Sequence, residues 1–120
     1  MEILKRTMIT AVIMLSAFFV QAQLQSELQK AFTESYTREY NKKYTEAIAS
    51  LTKVYNADNY ELNLRLGWLH YSNKNYAQSE NFYKLAVKQK PYSVEAKLGL
   101  IQPLSAVESL DKVMQQYEDI

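Results

Sequence analysis

The segment LGWLHYSNKNYAQSENFYKLA, residues 66–86, places small and large side chains at helical spacing on both sides of a polar break. Gly67, Ser79 and Ala86 are small enough to let two helix axes approach closely. Leu66, Tyr76, Phe82 and Tyr83 are large enough to fill the space beside them. A glycine inside a helix costs ~1 kcal/mol relative to alanine. Gly67 is therefore reasonable only where a neighbour needs its room. Asn73-Lys74-Asn75 interrupts the pattern, so the spacing predicts two helices, over about 60–72 and 76–89. Lys90-Pro91 ends the second, because the residue before a proline resists helical geometry. Just upstream, Leu62-Asn63-Leu64-Arg65-Leu66 alternates as a strand would. The same residues also form two helical faces, one with Leu62, Leu66 and Leu69 and one with Leu64, Trp68 and Tyr71. A helix apolar on two sides is buried on two sides.

Self-similarity favours the helical reading. Asn41-Lys42-Lys43-Tyr44 and Asn73-Lys74-Asn75-Tyr76 are near copies at an offset of 32 residues. That offset also pairs Ser35 with Gly67, Ala47 with Ser79, Leu51 with Tyr83 and Val54 with Ala86. A further offset of 34 pairs Leu66 with Leu100, Tyr76 with Leu110, Ser79 with Val113 and Tyr83 with Tyr117. A period in the low thirties is the signature of stacked helix hairpins. The same reasoning places further helices at about 25–40, 44–56, 93–104 and 106–120. Asp58 or Asn59 is the expected N-cap of the helix that begins at Tyr60. Only two glycines and two prolines occur in 120 residues, which disfavours a turn-rich β fold.

Leu66-Gly67, His70, Tyr76, Ser79, Tyr83, Ala86 and Pro91 together resemble the tetratricopeptide repeat family. His70 stands for the family's Tyr, Ser79 for Ala and Tyr83 for Phe. The resemblance spans about residues 28–120. It implies an all-α solenoid of about three helix hairpins, six antiparallel helices in all, with units near 28–59, 60–93 and 94–120. The outer units follow mainly in their second helices. Glu34 stands where the family has Leu, and Pro103 falls inside the first helix of the third unit.

Residues 1–22 read as an export signal. Lys5 and Arg6 precede the apolar run Met8–Val20, and Ala22 is small enough to precede a cleavage site, so the mature chain is expected to begin at Gln23. The run covers 13 residues, whereas a membrane-spanning helix needs roughly 20. No membrane span is expected after cleavage. The expected location is the periplasm or cell envelope, or the medium outside the cell. Removing residues 1–22 takes away Glu2, Lys5 and Arg6 and leaves a balanced charge. Nucleic-acid binding needs a clustered basic surplus, so no nucleic-acid partner is expected. The chain has no cysteine, which rules out disulfide staples and thiol chemistry.

No catalytic frame emerges. The chain lacks a Gly-x-Ser-x-Gly elbow and a glycine-rich phosphate loop. His70 is the single histidine and has no second ligand type beside it, so neither a metal site nor any cofactor is expected. The reading is a protein or peptide interaction scaffold and not an enzyme. In stacked hairpins the first helix of each unit lines the inner side. That assigns Phe32, Tyr36 and Tyr40, then Leu64, Trp68 and Tyr71, then Leu98 and Gln102 to an aromatic, mostly uncharged groove. Tyr and Trp anchor interfaces because they bury large rigid area and keep a polar tip. The family's groove often clamps a terminal carboxylate with Lys, Asn and Arg. Leu64 and Trp68 occupy such positions here, so that clamp is not expected. A different reading is self-association into a homo-oligomer through Leu110, Val113 and Tyr117 on the last helix. A weaker one is a carbohydrate or small-ligand site at Trp68 and Tyr71.

Overall fold

No glycine or proline interrupts the first forty residues, and in the computed structural model, which describes residues 1–107 and 110–120, they form a single rod. Helix α1 runs from Glu2 to Tyr40. The sequence reading starts this helix near Gln25, but the apolar run continues into it without a break. Glu2–Tyr40 is long and apolar enough to cross a membrane, a test that signal sequences also pass, and its apolar window buries nothing against the rest of the chain. Five helices come after it: α2 (Tyr44–Thr52), α3 (Tyr60–Ser72), α4 (Tyr76–Gln89), α5 (Val94–Ala106) and α6 (Leu110–Glu118).

The fold is an all-helical stack of hairpins, α1–α2, α3–α4 and α5–α6. The first two turns share one construction. Lys42 N–H donates to Glu39 O and Lys43 N–H to Arg38 O; Lys74 N–H donates to Tyr71 O and Asn75 N–H to His70 O. This pair of bonds is the Schellman arrangement, which satisfies the last carbonyls of a helix. It requires a left-handed residue, and Lys42 and Lys74 take that role with φ of 58° and 62°. The starts of α3 and α5 are capped alike. Asn59 Oδ1 accepts from Leu62 N–H at 3.0 Å and Ser93 Oγ from Ala96 N–H at 3.2 Å.

Three further boundaries differ from the sequence reading. α2 ends at Thr52 instead of near Asn56. Val54 and Tyr55 N–H reach back only three residues, and Tyr55 is drawn towards α3 and α4: its hydroxyl donates to Asn63 Oδ1 at 2.8 Å and its ring meets Phe82 edge-on. α5 continues past the fully buried Pro103 to Ala106. Ala106 belongs to α5, which Val107 closes with a bond to Pro103 O, and not to the start of α6.

The core has two parts. Ala31, Ala47, Leu51, Leu62, Leu66 and Leu69 fill the space among α1, α2 and α3. Tyr83, Leu100, Ile101, Leu104 and Val113 fill the space among α4, α5 and α6. Ser79 Oγ donates to Gly67 O at 2.7 Å where the two helices are in close contact. Ala86 is fully buried, Tyr76 is half-buried, and Pro91 stands exposed in the loop after α4. Asn63 sits where the interior is otherwise apolar, and every polar atom of its side chain is bonded. It donates to Ala57 O and Gln89 Oε1, both at 2.9 Å, and accepts from Tyr55. An unbonded amide there would be costly.

Candidate functional site

One face of α3 shows how the site is assembled. Glu61, Leu64, Arg65 and Trp68 succeed one another at helical intervals along it. Glu95, Leu98, Gly99 and Gln102 repeat the same intervals on α5. With Phe32 and Tyr36 of α1 they line an open groove of about 630 Å³, and Tyr83 of α4 forms its floor. Tyr36, Trp68 and Leu98 are exposed at 57%, 39% and 45%, so apolar surface faces solvent there.

The Tyr83 ring is wedged between two glycines. A Cβ on Gly67 would lie 2.8 Å from Tyr83 Cδ2, and one on Gly99 would come nearer still. The two helices thus close on the ring from either side. Burial, and secondarily the negative charge of Glu95, push the Tyr83 hydroxyl well above its ordinary pKa. It remains a neutral donor and acceptor.

Arg65 is 8% exposed and anchors α3 to α1. Its Nη2 lies 2.6 Å from Glu39 Oε2, an ion contact, and its Nε donates to Ser35 Oγ at 3.2 Å. Its guanidinium carbon stands 3.9 Å from the centroid of the Tyr36 ring. Trp68 Nε1 also donates to Glu39. Glu39 therefore accepts from Trp68 and balances the charge of Arg65, whose Nη2 makes no hydrogen bond.

Of the eight groove residues read from sequence, six line the cavity: Phe32, Tyr36, Leu64, Trp68, Leu98 and Gln102. Tyr40 is 89% exposed and lies outside it. Tyr71 lies behind Trp68, with ring centroids 6.0 Å apart, and also meets Tyr76. Both residues sit one turn beyond the last lining residue of their helices, so the lining stripe is displaced towards the helix N-termini. That displacement brings in Glu61, Arg65, Glu95 and Gly99, which apolar spacing does not single out, and the groove is correspondingly more charged than expected. The signal was present: Glu61 and Glu95 are each the second residue of their helix and recur at the 34-residue offset.

On α6, Val113 is 9% exposed and packs into the second core group. It therefore does not belong to an uncovered face. Tyr117 is 56% exposed, and the Leu110 side chain lies outside the described residues. Among the described residues, no three His, Cys, Asp or Glu side chains gather where a metal could sit. His70 is half-buried and stacks on Phe82 at 5.3 Å.

A sequence profile of the tetratricopeptide repeat family matches residues 40–101. No curated protein and no solved structure matches the chain.

Proposed function

Since the chain belongs to the tetratricopeptide repeat family, whose repeats generally mediate protein–protein interaction, we propose that it is an exported, non-enzymatic scaffold that docks a segment of a partner protein between α1, α3 and α5. The observation that carries this reading is the gathering of Phe32, Tyr36, Leu64, Trp68 and Leu98 from three successive first helices around one cavity. Rigid aromatic side chains, part in solvent and part packed, supply binding area at little entropic cost. Tyr71 behind Trp68 and Glu39 on its indole nitrogen hold that ring in place before any partner arrives. Capture of envelope proteins on the wild-type chain and on Trp68→Ala tests the reading. The variant is expected to lose the partner that the wild type retains. An identical set of captured proteins would remove the groove from consideration.

Export rests on the residues of the N-terminal segment. Lys5 and Arg6, the apolar run and Ala22 have the order of a cleavable leader, and the run packs against nothing else in the chain. Mass spectrometry of the protein from cells with an export pathway should find Gln23 at the N-terminus. A chain that still begins at Met1 would be anchored, not released.

A second reading has one observation in its favour. Met114 and Tyr117, one turn apart on α6, are exposed at 59% and 56%, which suits pairing of two copies. Light scattering then expects a dimer that Tyr117→Glu separates. Val113→Glu is a poor probe of that contact because it would damage the core.

A further inference from the structure

The polar groups of the groove are unevenly committed. Its strong donors both face Glu39: Trp68 Nε1 donates to it, and the Arg65 guanidinium is paired with it in charge, although Arg65 Nη2 makes no hydrogen bond. Its acceptors are free. Neither Glu61 nor Glu95 has an ion-pair partner among the described residues, and Gln102 Oε1 is buried without a hydrogen bond. All three line the same cavity, beside Tyr83, Trp68 and Leu98. An incoming acidic segment would meet two carboxylates and find Arg65 already neutralised. An incoming cation would meet unpaired negative charge over an apolar, aromatic floor.

Taking as given that the groove docks a partner, we infer that the docked segment carries an arginine or lysine flanked by aliphatic or aromatic side chains. The cationic head lies between Glu61 and Glu95, and its methylene stem runs over the ring of Tyr83 and beside Trp68. Long basic side chains suit such a site because the stem buries apolar area while the head keeps its polar contacts. Complementary charge of this kind sets partner choice and the rate of encounter, and salt screens it.

Selection of a random peptide display library on the full chain, held in a nonionic detergent, tests the inference. Selected peptides are expected to be rich in Arg or Lys next to apolar residues. Their affinity should fall about tenfold or more in the Glu61→Gln, Glu95→Gln double variant and should weaken as salt is raised. Both glutamates are exposed, so unchanged helicity and thermal melting should accompany the loss. Neutral or acidic peptides whose binding ignores those substitutions but is abolished by Leu98→Asp would overturn the basic-segment inference and leave the groove as a docking site. Binders indifferent to Leu98→Asp as well would overturn both. Self-association of the chain that Leu98→Asp abolishes would identify the occupant as a second copy, which also overturns the inference.

Discussion

Tyr83 and its two glycines are packed with almost no tolerance. Alanine normally favours a helix over glycine by ~1 kcal/mol, so Gly99→Ala would stabilise a free helix. Here the added methyl group would meet the Tyr83 ring. The ring is 4% exposed and held from both sides, so it has little room to yield. Gly99→Ala should therefore destabilise the protein, by about 1–3 kcal/mol, and by more than Gly67→Ala, whose clash is milder. In a Tyr83→Leu background the Gly99→Ala penalty should shrink, and urea melts of the four proteins would measure that coupling. Additive effects would show that the ring is not the obstacle. His70 supplies a second residue-scale prediction. Burial lowers its pKa from 6.5, so the folded chain resists the proton that the unfolded chain accepts. The neutral imidazole's stability is complete above about pH 6.5 and declines as pH falls below it. Glu80 is held below its ordinary value, chiefly by its hydrogen bond from Lys84, and acts only in more acidic solution. Thermal melts between about pH 7.5 and 5.5 should show a falling midpoint, and His70→Tyr should flatten that slope.

At the scale of the element, the two Schellman turns end their helices with lysine in a left-handed conformation. Side chains other than glycine and asparagine take that conformation at a cost of roughly 1 kcal/mol or more. Lys42→Gly and Lys74→Gly should each raise stability by about 1 kcal/mol. That corresponds to a rise in midpoint of roughly 4–8 °C for a domain of this size. A drop in Tm for either variant would mean that the lysine side chain does more than occupy the turn. These turns also show how much is legible before folding. The recurrence of Asn-Lys-x-Tyr marks both as the same turn, and Gly67, Ser79 and Ala86 mark where α3 and α4 touch. The left-handed residue is hidden because neither turn contains glycine. The early end of α2 is hidden because Tyr55 is recruited by Asn63 and Phe82, contacts that arise only once α3 and α4 are in place. For the groove, apolar spacing locates the right helices and six of the right residues. It cannot locate Arg65, Glu61 or Glu95, because a charged residue on a helix reads as solvent-facing until its neighbours in space are known.

Across the whole molecule, successive units are joined by contacts between α2 and α3, between α4 and α5 and between α3 and α5. Between α1 and α3 the polar ones centre on Glu39, Arg65, Ser35 and Trp68. Glu39→Gln keeps the shape but leaves Arg65 without its counter-charge. The cost should be about 2 kcal/mol or more, since breaking a largely buried pair exposes the penalty of the charge left behind. In a stacked-repeat protein that loss falls on one interface. Hydrogen exchange should therefore lose protection in residues 28–40 and in α2 while α4 and α5 keep theirs. Uniform loss would mean that the stack unfolds as one body. The extents of 71 × 34 × 17 Å show how far α1 projects beyond the rest. The apolar N-terminal run and the first repeat share that single rod, so the bearing of the groove about the axis is geared to the apolar tip. Each residue added to a helix rotates the remainder of the chain by about 100° and advances it about 1.5 Å. One extra residue between Ala22 and Leu28 would swing the groove sideways, three or four would bring it nearly full circle, and a cut after Ala22 would uncouple the two ends altogether.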